Sequence, residues 1–434
     1  MRAGFLTVDI TPTRPAALAG FAARTRAFTG IDAPLEANLA GFIDGGGQRV
    51  VLASLDTLFV GAATHAAIAA AAGLAPERLV LVATHTHNAP SLAAEVPQLG
   101  ALDPAYRDMV VQRVADAIRR LPAGPVAAGT AERHAPYNVN RRKPAWVLDY
   151  PALRRERRLR FGREIALAPY RKGVVDQTLR CIVLRDGGGP GGGAVRAVVW
   201  SFACHANRYP RMDRVSPDFP GLVREHLRKR FGAGCAVLYL PGFAGSAIAD
   251  IPFPIPRTVN EFLRIALPFN PYVPWFTPDS FRAWGDKLAA VAVACAEAAQ
   301  PAEAAFTHRR ARSAPVFHGT PEIALDLVSL DFGPACGVVA MTGEVIGEWG
   351  PILAPHIPPG RIATGYLAGP CLYVPTDAAV RAGGYEADRF RTLFDLDGTF
   401  IPDLDRTVGR AVAGLLDGQP GSCGLQPARQ ERLA

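Results

Sequence analysis

The chain has 434 residues, 49% hydrophobic and 20% charged, with a net charge of +8. That composition supports a sizeable core and excludes global disorder, and no charge-free apolar run of about 18 residues marks a membrane span. Seven cysteines, an odd number without a C-x-x-C pair, fit the reduced thiols of a cytoplasmic protein better than a disulfide framework.

The N-terminus, MRAGFLTVDITP, lacks the apolar stretch of a signal peptide. Short apolar runs then recur, and each leads into polar residues. Residues 49–55 lead to Asp56, 79–83 to His85 and His87, and 195–202 to Cys204 and His205. Residues 235–240 lead to Pro241, Gly242 and Ser246, and 337–341 to Gly343 and Glu344. Runs of this kind read as strands buried on both faces. Helical patterns alternate with them. Asp103 and Pro104 open one that runs to about residue 121, and Gly232 stops another at 219–230. A third covers 280–299, and a fourth, 402–416, ends at Gly418. The expected fold is α/β, a mixed, largely parallel twisted sheet flanked by helices, as one domain over residues 1–420 with a flexible tail at 421–434. Ligands of such sheets bind beyond the carboxyl ends of the strands. Those ends carry Asp56, His85, His87, His205 and Glu344.

Two segments interrupt this pattern. The tract GGGPGGG at 187–193 reads as a hairpin loop. Residues 251–284, dense in Pro, Phe, Trp and Tyr, read either as a packed excursion or as a lid or groove wall above the site. Much of the positive excess lies at 154–172, RRERRLRFGREIALAPYRK. No nucleic-acid-binding motif accompanies it, so a solvated surface loop is expected and nucleic acid is not an expected partner.

In an extended strand His85 and His87 would share a face. One could then ligate a metal while the other meets the bound water, or both could be hydrogen-bonded structural histidines. His65, His134, His226, His308, His318 and His356 lack comparable context and read as surface or capping residues. Cys204 and His205 are strand neighbours and face opposite ways, which argues against a thiolate–imidazolium pair.

The order of motifs resembles the neutral/alkaline, non-lysosomal ceramidase family of zinc-dependent amidases. The matching segments are VDITP (8–12), THTHNAPS (84–91), YNVNRRKP (137–144), FACHAN (202–207), SPDFPG (216–221), MTGE (341–344), YVPT (373–376) and GGYEA (383–387). The resemblance implies that His85, His205, Glu344 and Tyr373 hold zinc and that His87 lies beside the reacting centre. It also implies that Arg141 and Tyr385 contact the substrate amide and its oxyanion. Asp56, at a strand end, reads either as a partner that orients a ligand imidazole or as a helix N-cap. The implied activity is cleavage of an N-acyl amide by metal-activated water, on a lipid or a smaller amide. An esterase or lactonase using the same site, or a binding protein that keeps the fold, are the alternatives.

The chain also departs from the family. Ile248 stands where the family carries a serine once proposed as nucleophile, and Ser246, two residues earlier, reads as a substrate contact instead. Arg142 and Lys143 add charge beside the implied substrate site, either for an anionic substrate or as solvent-facing charge. No C-terminal immunoglobulin-like domain is expected. The oligomeric state is not legible.

Overall fold

A computed structural model describes residues 1–418 apart from 23, 149–156, 159–160, 188–192, 252–258, 260–261, 263–274, 303–304 and 334. The expected tail and most of the loop at 187–193 and of the lid segment at 251–284 lie outside the described residues.

Thirteen strands form one sheet. From one edge the order is Ala236–Tyr239, Val195–Ser201, Thr178–Asp186, Gly124–His134, Arg2–Asp9, Glu36–Ile43 and Arg49–Leu55. It continues through Leu79–Ala83, Arg361–Leu367, Cys336–Thr342, Ile323–Gly333, Thr307–Thr320 and Asp397–Phe400. Val, Leu and Ala dominate the central strands, and Leu79–Ala83 and Cys336–Thr342 are buried at every residue. Helices cover the outside. Their ends follow the expected chemistry. The Asp103 side chain accepts from the Ala105 and Tyr106 amides to open helix Pro104–Arg120. Gly232, at φ +105°, ends helix Phe219–Phe231. Gly418, at φ +71°, ends helix Leu404–Asp417.

The sheet is mixed but mainly antiparallel, which corrects the expectation of a largely parallel one. Within this thirteen-stranded sheet three neighbouring pairs run parallel: Val195–Ser201 with Ala236–Tyr239, Cys336–Thr342 with Arg361–Leu367, and Arg49–Leu55 with Leu79–Ala83. The reason is that the sheet doubles back on itself. The Ser54 hydroxyl donates to the Tyr239 carbonyl at 2.6 Å, Thr364 to Pro241 at 2.6 Å, and Thr130 to Gly360 at 3.1 Å, all between strands distant in the sheet order. Each half is therefore covered by the other half on one face and by helices on the other. Antiparallel strands so placed lose their polar alternation and read like parallel ones.

Two hydrophobic clusters follow from this layering. One lies between the halves and includes Leu39, Leu52, Leu238 and Val339. The other lies under helices Phe219–Phe231 and Pro278–Ala298, where Trp200, Tyr239, Phe219 and Trp284 pack ring on ring. Two small additions complete the frame of the site. Strands Asn138–Leu148 and Phe161–Tyr170 form a hairpin with Ala247–Ala249 at its edge. The short strand Glu344–Val345 pairs in parallel with Tyr373–Val374. No described helix is long and apolar enough to cross a membrane.

Candidate metal and catalytic site

The strand Leu79–Ala83 ends before the histidines, and His85 takes a left-handed backbone at φ +62°. The extended H-x-H geometry is thus replaced by a turn, yet both imidazoles still converge. The ring centres of His85 and His87 are 5.1 Å apart with planes at 87°. His205, four residues past the strand Val195–Ser201, joins them with its ring centre 4.7 Å from that of His85. One ligand atom from each of the three buried histidines lies within 4.8 Å of the others, an arrangement that could hold a metal ion.

Carbonyl partners set the tautomers of two of these rings. His85 Nδ1 lies 2.9 Å from the Leu58 carbonyl oxygen, and His205 Nδ1 lies 2.8 Å from that of Ala244. A carbonyl only accepts, so each Nδ1 carries a proton, and each ring in its neutral form turns a lone pair inward at Nε2. The two Nε2 atoms are 3.2 Å apart, and Glu344 Oε2 sits 3.2 Å from the first and 3.1 Å from the second. Glu344 Oε2 has no hydrogen-bond donor, and neither nitrogen of His87 has a partner among the described residues. Three electron pairs facing one another in a dry site call for a cation, and a nitrogen–nitrogen–carboxylate set suits zinc or a similar divalent ion.

The electrostatics agree. Burial pushes the Glu344 carboxyl up, but the charge and N–H groups that His85 and His205 carry when protonated outweigh it and hold the group well below the usual carboxylate range. Burial, then the Arg141 charge, lowers His205 to about 3. Burial likewise holds His87 well below its ordinary value, so its ring is neutral.

Arg141, Tyr373 and Tyr385 form the adjoining wall. Glu344 and Tyr373 are register partners on their two short strands, which sets the phenol beside the carboxylate. Arg141 donates through Nε to Glu386 Oε1 at 2.7 Å and through Nη2 to the Tyr373 hydroxyl at 3.0 Å. Tyr385 opens a π-helical turn, Tyr385–Arg389, and its ring centre is 5.5 Å from that of Tyr373. Burial raises both phenols above their ordinary value, so both keep their protons. Burial opposes the Arg141 charge, but Tyr373, Glu386 and Glu344 outweigh it and keep the guanidinium cationic.

Other residues singled out in the sequence are engaged elsewhere. The Asp56 carboxylate accepts from Arg224 at 2.8 Å and from the Glu36 amide at 2.9 Å, and backbone carbonyls take the imidazole-orienting role expected of it. Arg142 is neither solvent-facing nor turned to a substrate. It donates to Glu386 Oε2 at 2.9 Å and to the Gly383 carbonyl at 2.9 Å. The Ser246 hydroxyl is held between Glu348 Oε2 at 2.6 Å and the Gly347 amide at 2.9 Å. Burial raises the Cys204 thiol well above its ordinary value, which suits a packing residue.

Three residues near the histidines went unread in the sequence. Glu386 is fully buried and bridges Arg141 and Arg142. Its presence in the matched GGYEA segment was the signal available. Tyr366 sits at φ +60° with its ring centre 4.4 Å from that of His85, and its buried hydroxyl has no partner among the described residues. Gly20, at φ +108°, abuts His87 so closely that an added Cβ would lie 2.3 Å from Nδ1. Nothing local in the sequence marks the last two.

No protein-family profile matches the chain, and neither does any curated protein sequence. Solved structures do. Neutral ceramidase from Pseudomonas aeruginosa superposes with a TM-score of 0.69 at 16% identity, over 97% of this chain and 75% of that one. A ceramidase complexed with C2 gives a TM-score of 0.68 at 15% identity, over 98% and 77%. At such identities the likeness is one of fold: the chain has a ceramidase-like fold around a buried histidine group able to hold a metal ion.

Proposed function

We propose that this protein is a zinc-dependent hydrolase that cleaves an N-acyl amide bond. The observation that carries the reading is the convergence of His85 Nε2, His205 Nε2 and Glu344 Oε2 at 3.1–3.2 Å in a buried site. The ceramidase-like fold supports the amide as substrate class, and a lipid amide or a smaller one both fit the reading. His85, His205 and Glu344 would hold the ion, with the Tyr373 hydroxyl beside them. When bound, zinc polarises the amide carbonyl and lowers the pKa of a water molecule toward about 7.

The chain's own groups supply the rest. Neutral His87 accepts the proton released by the attacking water and returns it to the departing nitrogen. The Tyr385 hydroxyl keeps its proton and donates a hydrogen bond to the carbonyl oxygen as negative charge grows there. Arg141, locked by Glu386 and the Tyr373 hydroxyl, adds a fixed positive charge on the same side. Ser246 is here a framework residue, because its hydroxyl is committed to Glu348.

The test joins metal analysis to turnover. Protein purified without chelator should carry about one zinc per chain. His205→Ala and Glu344→Ala should each lose metal and hydrolysis of N-acyl substrates. A wild type that takes up no metal when zinc is supplied, or variants that keep both metal and turnover, would sink the assignment.

A further inference from the structure

The hairpin of strands Asn138–Leu148 and Phe161–Tyr170 carries Arg141 at its inner end and projects outward beyond it. Trp146 and Arg163 are direct cross-strand partners, and Phe161 lies two residues from Arg163. Cross-strand partners and i, i+2 neighbours share a face, so Trp146, Phe161 and Arg163 stand together on one side of the ribbon. Trp146 is 53% exposed and Phe161 45%. Arg157 and Arg158 on the same excursion are exposed too. The nearby acid Glu164 falls on the opposite face and pairs with Arg389 at 3.3 Å. Most aromatic residues of this chain are buried, so a tryptophan half in water beside arginines is out of pattern.

We infer that this hairpin face docks the protein onto an anionic lipid surface. An indole at the water–lipid boundary buries its apolar body while its N–H stays hydrated, and arginines beside it meet anionic headgroups. A nucleic-acid backbone would engage the arginines but leave the apolar surface of Trp146 and Phe161 in water, which is why lipid is the occupant. The hairpin also joins the surface to the site. Arg141 lies five residues inward from Trp146, roughly 17 Å along an extended strand. The second strand meets the segment that bears Tyr385, where Arg389 donates to the Ile165 carbonyl at 2.8 Å. A docked hairpin therefore sets the wall of the site at a fixed distance from the membrane. The inference stands apart from the amide reading, because binding is read without substrate.

The test is co-sedimentation of the full chain with vesicles of phosphatidylcholine, with and without about one quarter phosphatidylglycerol. The wild type should partition onto the anionic vesicles and weaken sharply as salt rises. Trp146→Ser should lower partitioning about tenfold or more. The double variant Arg157→Glu/Arg158→Glu, at two exposed positions, should lose the preference for phosphatidylglycerol. His205→Ala should bind as the wild type does. Absence of wild-type binding overturns the inference, as do unchanged partitioning of both hairpin variants, loss of binding in His205→Ala, or displacement of the vesicles by a short RNA or DNA duplex.

Discussion

Leu58 and Ala244 offer only carbonyl oxygens to His85 and His205, and that choice of partner decides what the two imidazoles can do. Each ring keeps a proton on Nδ1, and in its neutral form a lone pair on Nε2 faces Glu344. The same logic runs through Glu386, whose two oxygens fix Arg141 and Arg142 at 2.7 and 2.9 Å. Replacing it by glutamine leaves the buried Arg141 guanidinium without its ion-pair partner and Arg142 with only Glu348, at 3.7 Å, a loss on the order of 3–5 kcal/mol of stability when one side of a buried pair is removed. Glu386→Gln should therefore unfold at lower denaturant concentration, and its residual activity should show a lower kcat as Arg141 loses its anchor. A variant as stable as the wild type would refute the bridging role. Tyr385→Phe tests the oxyanion contact separately. Metal content should stay unchanged while kcat falls about 10²–10³-fold, the cost of removing one such donor. Unaltered kinetics would take Tyr385 out of the reaction.

Helix Phe219–Phe231 starts from Asp218, whose carboxylate accepts from the amides of Phe219, Tyr209 and Arg208. Burial, only partly offset by those bonds, pushes this carboxyl up to about 7. In the unfolded chain an aspartate titrates near about 3.9. Between about pH 4 and pH 7 the folded state thus holds the extra proton, and the contribution of this group to stability falls as pH rises through that window. Asp218→Asn keeps a cap without the titration. Denaturant curves across the window should be flatter for the variant than for the wild type, by roughly 1.4 kcal/mol for each unit of the shift. Equal slopes would show that Asp218 does not titrate there. The turn before residue 21 makes a second element-scale demand. Gly20 combines φ +108° with a Cβ position 2.3 Å from His87 Nδ1, so Gly20→Ala must displace that imidazole. On the proposed assignment of the metal to His85, His205 and Glu344, turnover should drop while metal content stays unchanged, and a variant with unchanged turnover would separate His87 from catalysis.

At the scale of the whole molecule the site pins together segments that enter from opposite halves of the doubled sheet. His85 follows Leu79–Ala83, His205 follows Val195–Ser201, and Glu344 follows Cys336–Thr342. An ion bound by all three binds the folded state and not the unfolded chain, so it stabilises by mass action. Treatment with chelator should lower the Tm by several degrees, and added zinc should restore it. A Tm indifferent to chelation in metal-loaded protein would mean that the ion is not held by these three segments together.

Individual elements such as Leu79–Ala83 and Pro104–Arg120, the caps Asp103, Gly232 and Gly418, and the places of His85, His205 and Glu344 a few residues past strands were written in the sequence, because each depends on near neighbours. The regular alternation of strands with helices was not, since among the described residues strand follows strand from Gly124–His134 to Arg214–Val215. Nor was direction within the sheet. Burial on both faces erases polar alternation whatever the pairing, so antiparallel strands passed for parallel ones. The tautomers of the histidines, the engagement of Asp56 by Arg224, and the bridge from Glu386 to Arg141 were decided only by tertiary structure. These contacts span from 27 to 245 residues along the chain. A chemical group's partner across such a separation is set by how the layers pack, and no local pattern encodes it.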